Sequence, residues 1–196
     1  PALSVELVPA VGGGPTAVGP TACLWFSAAP ALRARRMADG LRSGGRGMTA
    51  SRERFAFGRA LVALCAELGF EGVFPLDASL AGGDQHAAAR RIYQANIAHI
   101  ARCDAVVANL DFFRGAEPDS GTCFEVGYAT ALGKPVVGYV PDEGSFAQRI
   151  RRRCPALAGA GSRDVHGWEL EEFGLPLNLM LGVPCRIVVG GAREAR

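Results

Sequence analysis

Three stretches of the chain, DAVVANL (residues 104–110), SGTCFEVGYATALG (120–133) and PVVGYV (135–140), constrain its fold more than any other feature. The first and third are mostly apolar runs of strand length, the pattern of strands covered on both faces. The second opens on small polar residues after Asp119 and closes on Gly133 just before Pro135, as a helix does. Strand, helix and strand in that order make a βαβ unit, which requires parallel pairing and a right-handed crossover.

The same alternation extends in both directions. TACLWFS (21–27), GVFPL (72–76) and CRIVV (185–189) read as further strands. FAFGRALVALCAELGF carries Phe57, Leu61, Leu64 and Leu68 at helical spacing before Gly69, and AARRIYQANIAHIARC sets Ile92, Ile97 and Ile100 inward. Shorter helices are expected within 143–153 and over LPLNLML (175–181), with a loop across 155–167. The predicted architecture is a three-layer α/β/α sandwich about a five-stranded parallel sheet, flavodoxin-like or Rossmann-like. Residues 1–20 hold four prolines and four glycines without a period and are expected as a flexible tail before one domain over 21–196. The arginine-rich stretch 31–54 is expected to be a mobile basic loop. In such sheets ligands lie beyond the carboxyl ends of the strands, so the loops after Ser27, Leu76, Leu110 and Val140 are where function is expected.

Charge and composition narrow the partners. With 21 basic against 19 acidic residues, the net charge of +2 leaves no excess to neutralise the phosphates of a nucleic-acid polymer. No apolar run approaches the length of a membrane span. Six scattered cysteines, with no C-x-x-C pair and no secretory leader, suit reduced thiols in a cytoplasmic protein. His86, His99 and His166 have no spacing that suggests a metal or a triad. Neither G-x-G-x-x-G nor a P-loop pattern occurs, and nothing in the sequence asks for a metal or another cofactor.

Acidic residues gather where the third strand ends: Asp111, Glu117, Asp119 and Glu125, with Arg114 among them. Asp119 precedes Ser120-Gly121-Thr122 and is placed as a helix N-cap, a role compatible with a second one in binding. Glu125 lies a turn and a half further in, among Cys123, Phe124, Val126 and Tyr128. From pattern alone it is either a solvent-facing residue or a carboxylate kept in a partly dry site for chemistry. Cys123 is the competing nucleophile, but no histidine lies near it in sequence to act as its base.

The stretch CDAVVANLDFFRGAEPDSGTCFEVGYATALGKP (103–135), followed by FGLPLNLML (173–181), resembles the nucleoside 2-deoxyribosyltransferases. The resemblance implies that Glu125 is the nucleophile, that Asp119 contacts the sugar hydroxyls, and that Asn178 reaches into a neighbouring subunit of a homo-oligomer. Gly121, Arg114 in the FRG turn, Met180 and Asp111 are expected near the substrate; the alternatives are that Arg114 bridges carboxylates and that Met180, within LNLML, is a core residue by pattern. Phe26, beside Trp25 on the first strand, either packs on a base or belongs to the core. The implied substrates are 2′-deoxynucleosides and free nucleobases. A carboxylate beneath C1′ stabilises the cationic sugar and then captures it, giving two displacements with retained stereochemistry.

Two positions depart from the family pattern. Asn96 stands where many members place an aspartate that serves as proton donor to the leaving base; an amide can bond a purine edge or serve the helix locally, but it supplies no proton. Asp119, Asp111 or water are the remaining donors. Ala29 precedes Pro30 where a glycine is usual. A hydrolase of deoxynucleosides or their 5′-monophosphates is the competing reading, with the loop at 33–54 or the run Arg149, Arg151, Arg152, Arg153 as a phosphate contact or else a solvated face. A non-catalytic nucleotide-binding domain on the same frame is the third.

Overall fold

The computed structural model describes residues 21–25, 58–74 and 84–195. Strand β1 (Thr21–Trp25) leads to helix α1, described over 58–67, and β2 (Glu71–Val73). There follow α2 (Gln85–Arg102), β3 (Ala105–Asn109), α3 (Ser120–Ala131), β4 (Val136–Val140), α4 (Phe146–Arg153), α5 (Leu179–Gly182) and β5 (Arg186–Val189). All four strand pairings are parallel, in the order β2-β1-β3-β4-β5. The order reverses between β1 and β3, the switch point at which open parallel sheets bind ligands.

Strand periodicity sorts the core into two layers. Val106, Ala108 and Leu110, with Val136 and Val140, face Ile100 of α2, Val126 and Ala129 of α3, and Leu181 and Cys185. The alternate residues Val107, Val137 and Tyr139 face Leu61 and Cys65 of α1 and Ala195 near the C-terminus. Each of the larger of these side chains contributes about 1.5–3 kcal/mol on burial, which is why β3 and β4 are apolar at nearly every position; the buried Asn109, at the end of β3, accepts from the Asp111 amide. Gly138 leaves the room that Leu110 occupies: a Cβ there would lie 2.4 Å from Leu110 Cδ1.

The helix ends follow the sequence signals. Gly69 and Gly133 take positive φ, 82° and 70°, where α1 and α3 stop. Lys134, the one lysine of the chain, donates its ammonium to the carbonyl of Cys103, tying the turn before β4 to the end of α2. The helix expected in 143–153 begins at Phe146, behind a capping box in which Ser145 and Gln148 exchange bonds, an S-x-x-Q signal the sequence carries. The helix expected over 175–181 is shorter than its apolar run, because Asn178, in extended conformation, caps it and opens it only at Leu179. The loop expected over 155–167 contains a single 3-10 turn, Pro155–Leu157, and the isolated bridge of Ala158 with Asp164. The expected tail at 1–20 and basic loop at 31–54 lie outside the described residues.

Candidate active site

The chain leaves β3 at its carboxyl end and returns to the sheet as α3, and this connection carries the acidic residues. Asp119 sits at the N-cap with φ −62° and ψ 130°. Its Oδ2 accepts from the Thr122 amide at 3.1 Å and from Thr122 Oγ1 at 3.3 Å, so the cap role is filled while Oδ1 has no partner among the described residues. Gly121 is part of this arrangement. A Cβ on it would stand 3.1 Å from Asp119 Oδ2, so the bare backbone lets the carboxylate lie over the helix end.

Glu125 is half-buried on the same helix, and its Oε1 accepts from Asn96 Nδ2 of α2 at 3.1 Å. The other carboxylate oxygen has no partner among the described residues. Burial pushes the Glu125 carboxyl up to about 7; the Asn96 bond acts against that shift, and the nearby Asp119 charge adds to it. Asn96 was expected either at a base edge or bonding its own helix. The packing of α2 on α3 gives its amide a different partner, the carboxylate.

The surroundings of Cys123 do not favour a thiolate. Burial, followed by the charges of Glu117 and Asp119, pushes its thiol up and leaves less thiolate. Cys65, Cys103, Cys123, Cys154 and Cys185 are free thiols.

Within the arginine run of α4, Arg151 and Arg152 are exposed, as a solvated face would be, while Arg149 and Arg153 depart from that reading. Arg149 is fully buried, neither a solvated face nor open to a phosphate. Its Nε donates to Asp142 Oδ1 at 3.1 Å, its Nη1 to the Pro176 carbonyl at 2.6 Å, and its Nη2 lies 3.6 Å from Asp111 Oδ1. Arg153 pairs with both oxygens of Asp111 and reaches Asp142, and both guanidinium groups lie over the Phe112 ring, at 4.6 and 5.0 Å. Asp111, expected at the substrate, is thus held by α4, where two cations compensate its desolvation. The carboxylate bridging considered for Arg114 is done by these residues. Arg114 itself is exposed, over the ring of Phe113 at 4.7 Å.

Asn178 donates its amide to Glu171 Oε1 and accepts from Met180 N, while Glu171 Oε2 takes the Leu179 amide at 2.8 Å. Glu171 was not singled out from the sequence, since nothing in its spacing shows that the loop folds back onto α5. Met180, a core position by pattern, is 73% exposed beside Val183 at 72%. His86 and His166 are exposed. Phe26, Ala29 and Pro30 lie outside the described residues. Among the described residues no cluster of His, Cys, Asp and Glu could hold a metal, and no helix is long and apolar enough to cross a membrane.

The family model described as nucleoside 2-deoxyribosyltransferase matches residues 47–180, more than half of the chain. The chain belongs to this family. The match includes Asn96, Asp119, Glu125 and Asn178. A 2-deoxyribosyltransferase from Leishmania mexicana is 28% identical, covering 82% of this chain and 85% of its own, with a TM-score of 0.53. A 2-deoxyribosyltransferase from Bacillus psychrosaccharolyticus is 17% identical over 61% of this chain and 72% of its own, at a TM-score of 0.40. An uncharacterized protein of Schizosaccharomyces pombe is 32% identical over 92 residues, 45% of this chain and 44% of the relative, so the chain spans less than half the length of that curated relative. The family is one of glycosyl-transferring enzymes.

Proposed function

We propose that the protein exchanges nucleobases on 2′-deoxyribose by a retaining double displacement through Glu125. The observation that supports this most is the Glu125 carboxylate itself: half-buried on α3, one oxygen fixed by Asn96 and the other unengaged among the described residues, one helical face from the Asp119 cap. In the first displacement the unengaged oxygen bonds C1′ as the bond to the base nitrogen breaks, and the base leaves with the electron pair and takes up a proton. In the second, a nitrogen of an incoming base bonds C1′, the ester oxygen departs with its pair, and the acceptor proton is lost to solvent. Water in place of the second base gives hydrolysis. The free oxygen of Asp119 is suited to the sugar hydroxyls. Arg149 and Arg153, engaged by Asp111 and Asp142, do not favour a 5′-phosphate.

The active form in this reading is a homo-oligomer in which Asn178 serves a neighbouring site, and the exposed Met180 and Val183 beside it are apolar surface suited to a second copy. The substrates are 2′-deoxynucleosides and free nucleobases in the cytoplasm, with no cofactor. Incubating 2′-deoxyinosine with a second base, and following exchanged nucleoside and free sugar by chromatography, tests the activity. Exchange that disappears in Glu125→Ala is expected; no base release by the intact protein would remove the enzymatic reading.

A further inference from the structure

The bond from Asn96 to Glu125 makes the two carboxylate oxygens unequal, and the reaction uses them differently. We infer that Asn96 is a positioning residue for the second displacement: its amide holds Oε1, assigns Oε2 as the atom that bonds the anomeric carbon, and speeds release of the carboxylate from the sugar ester. The inference rests on the reading of Glu125 as nucleophile given above.

The argument is electrostatic. While Glu125 is a carboxylate, the Asn96 N–H meets a charged acceptor, and such bonds are about twice as strong as neutral ones. Once Oε2 is bonded to C1′, Oε1 becomes an ester carbonyl and the same N–H meets a neutral acceptor. The amide therefore stabilises the free carboxylate more than the ester. Charge leaves the carboxylate during the first displacement and returns during the second, so the bond strengthens on the way to the second transition state and weakens on the way to the first. Its main effect is to keep the ester from accumulating. The geometry for this is already in place, since Asn96 Nδ2 lies 3.1 Å from Oε1 across the α2–α3 contact.

An aspartate at position 96 would behave differently. Two carboxyl groups at that separation share one proton, because both cannot ionise side by side. The only charged group that acts on Glu125 among the described residues is Asp119, on its own helix, and α2 contributes only the neutral amide.

The test uses the full chain, 2′-deoxyinosine and a second base, with Asn96→Ala and Asn96→Asp, intact-protein mass spectrometry during turnover, and circular dichroism to verify folding. In Asn96→Ala, kcat is expected to fall between about tenfold and a hundredfold with KM falling alongside, and the fraction of protein carrying a deoxyribosyl group is expected to rise. In Asn96→Asp, the acid limb of kcat/KM should move upward by about one pH unit or more. A purely structural Asn96 would lower activity without raising the ester fraction or moving the limb, and that pattern overturns the inference. Glu125→Ala reads the underlying assignment separately: if it exchanges bases as fast as the intact protein, the nucleophile reading fails and this inference fails with it.

Discussion

Arg149 and Asp142 join across the carboxyl edge of the sheet, the buried guanidinium Nε 3.1 Å from Asp142 Oδ1, while the same side chain also donates to the Pro176 carbonyl. One residue of α4 thus ties the loop after β4 to the segment that leads to Asn178, and through Asp111 to the loop that leads to Asp119. Arg149→Met removes the cation and leaves the Pro176 carbonyl without its donor. The expected cost is about 3 kcal/mol of stability, partly offset because Arg152 and Arg153 still reach Asp142. Urea unfolding checks it, with Arg114→Ala, on an exposed side chain, as the near-neutral control.

Glu125 gives opposite signs in rate and in stability. Its carboxyl is pushed up to about 7 by burial, so the nucleophilic form is lost as pH falls through that value, and exchange should drop about tenfold per unit below it. For stability, the folded chain holds this proton more tightly than the unfolded chain does. Stability is therefore highest below the ordinary glutamate range, declines as pH rises from there to about 7, and stays low above. Glu125→Gln should abolish exchange yet raise stability by ~1–2 kcal/mol at pH 8 and not at pH 4, after allowing for solvent screening of a half-buried group. Paired melting curves at the two pH values read the difference.

Asp119 separates its cap from its charge. Asp119→Asn keeps an oxygen for the Thr122 amide and should melt close to the parent, while losing most base exchange. Asp119→Ala should lose the exchange and about 1 kcal/mol as well. Equal activity in Asn and parent would mean that the residue serves the helix alone.

Gly121→Ala places a methyl 3.1 Å from Asp119 Oδ2 and moves the carboxylate by a few tenths of an ångström. The expected result is a rise in KM for the deoxynucleoside larger than the fall in kcat, with the helix slightly stabilised by replacement of a glycine. Steady-state kinetics and a melting curve together decide it.

How far the sequence could be read depended on whether a feature was local. Strands β3 and β4 were legible because burial on both faces leaves them apolar at all positions but Asn109, and α3 because Asp119 and Gly133 mark its ends. The acidic cluster was legible as a group, yet its pairings were not. Asn96 and Glu125 are 29 residues apart and meet only when α2 packs on α3. Arg149 and Arg153 look like part of a solvated face by charge pattern, and Asp111 and Asp142 become their partners only when β3 and β4 deliver two loops to the same edge. The core alternative for Met180 failed in the other direction, since α5 is a single turn and leaves that side chain exposed.

Lys134 offers a practical consequence. Its ammonium is the only side-chain amine in the chain and is engaged by the Cys103 carbonyl. An acylating reagent needs this amine free of that carbonyl, so its modification follows how often the bond between the turn before β4 and the end of α2 breaks. The yield of that one adduct over time would therefore act as a clock for local opening, read by mass without any engineered label.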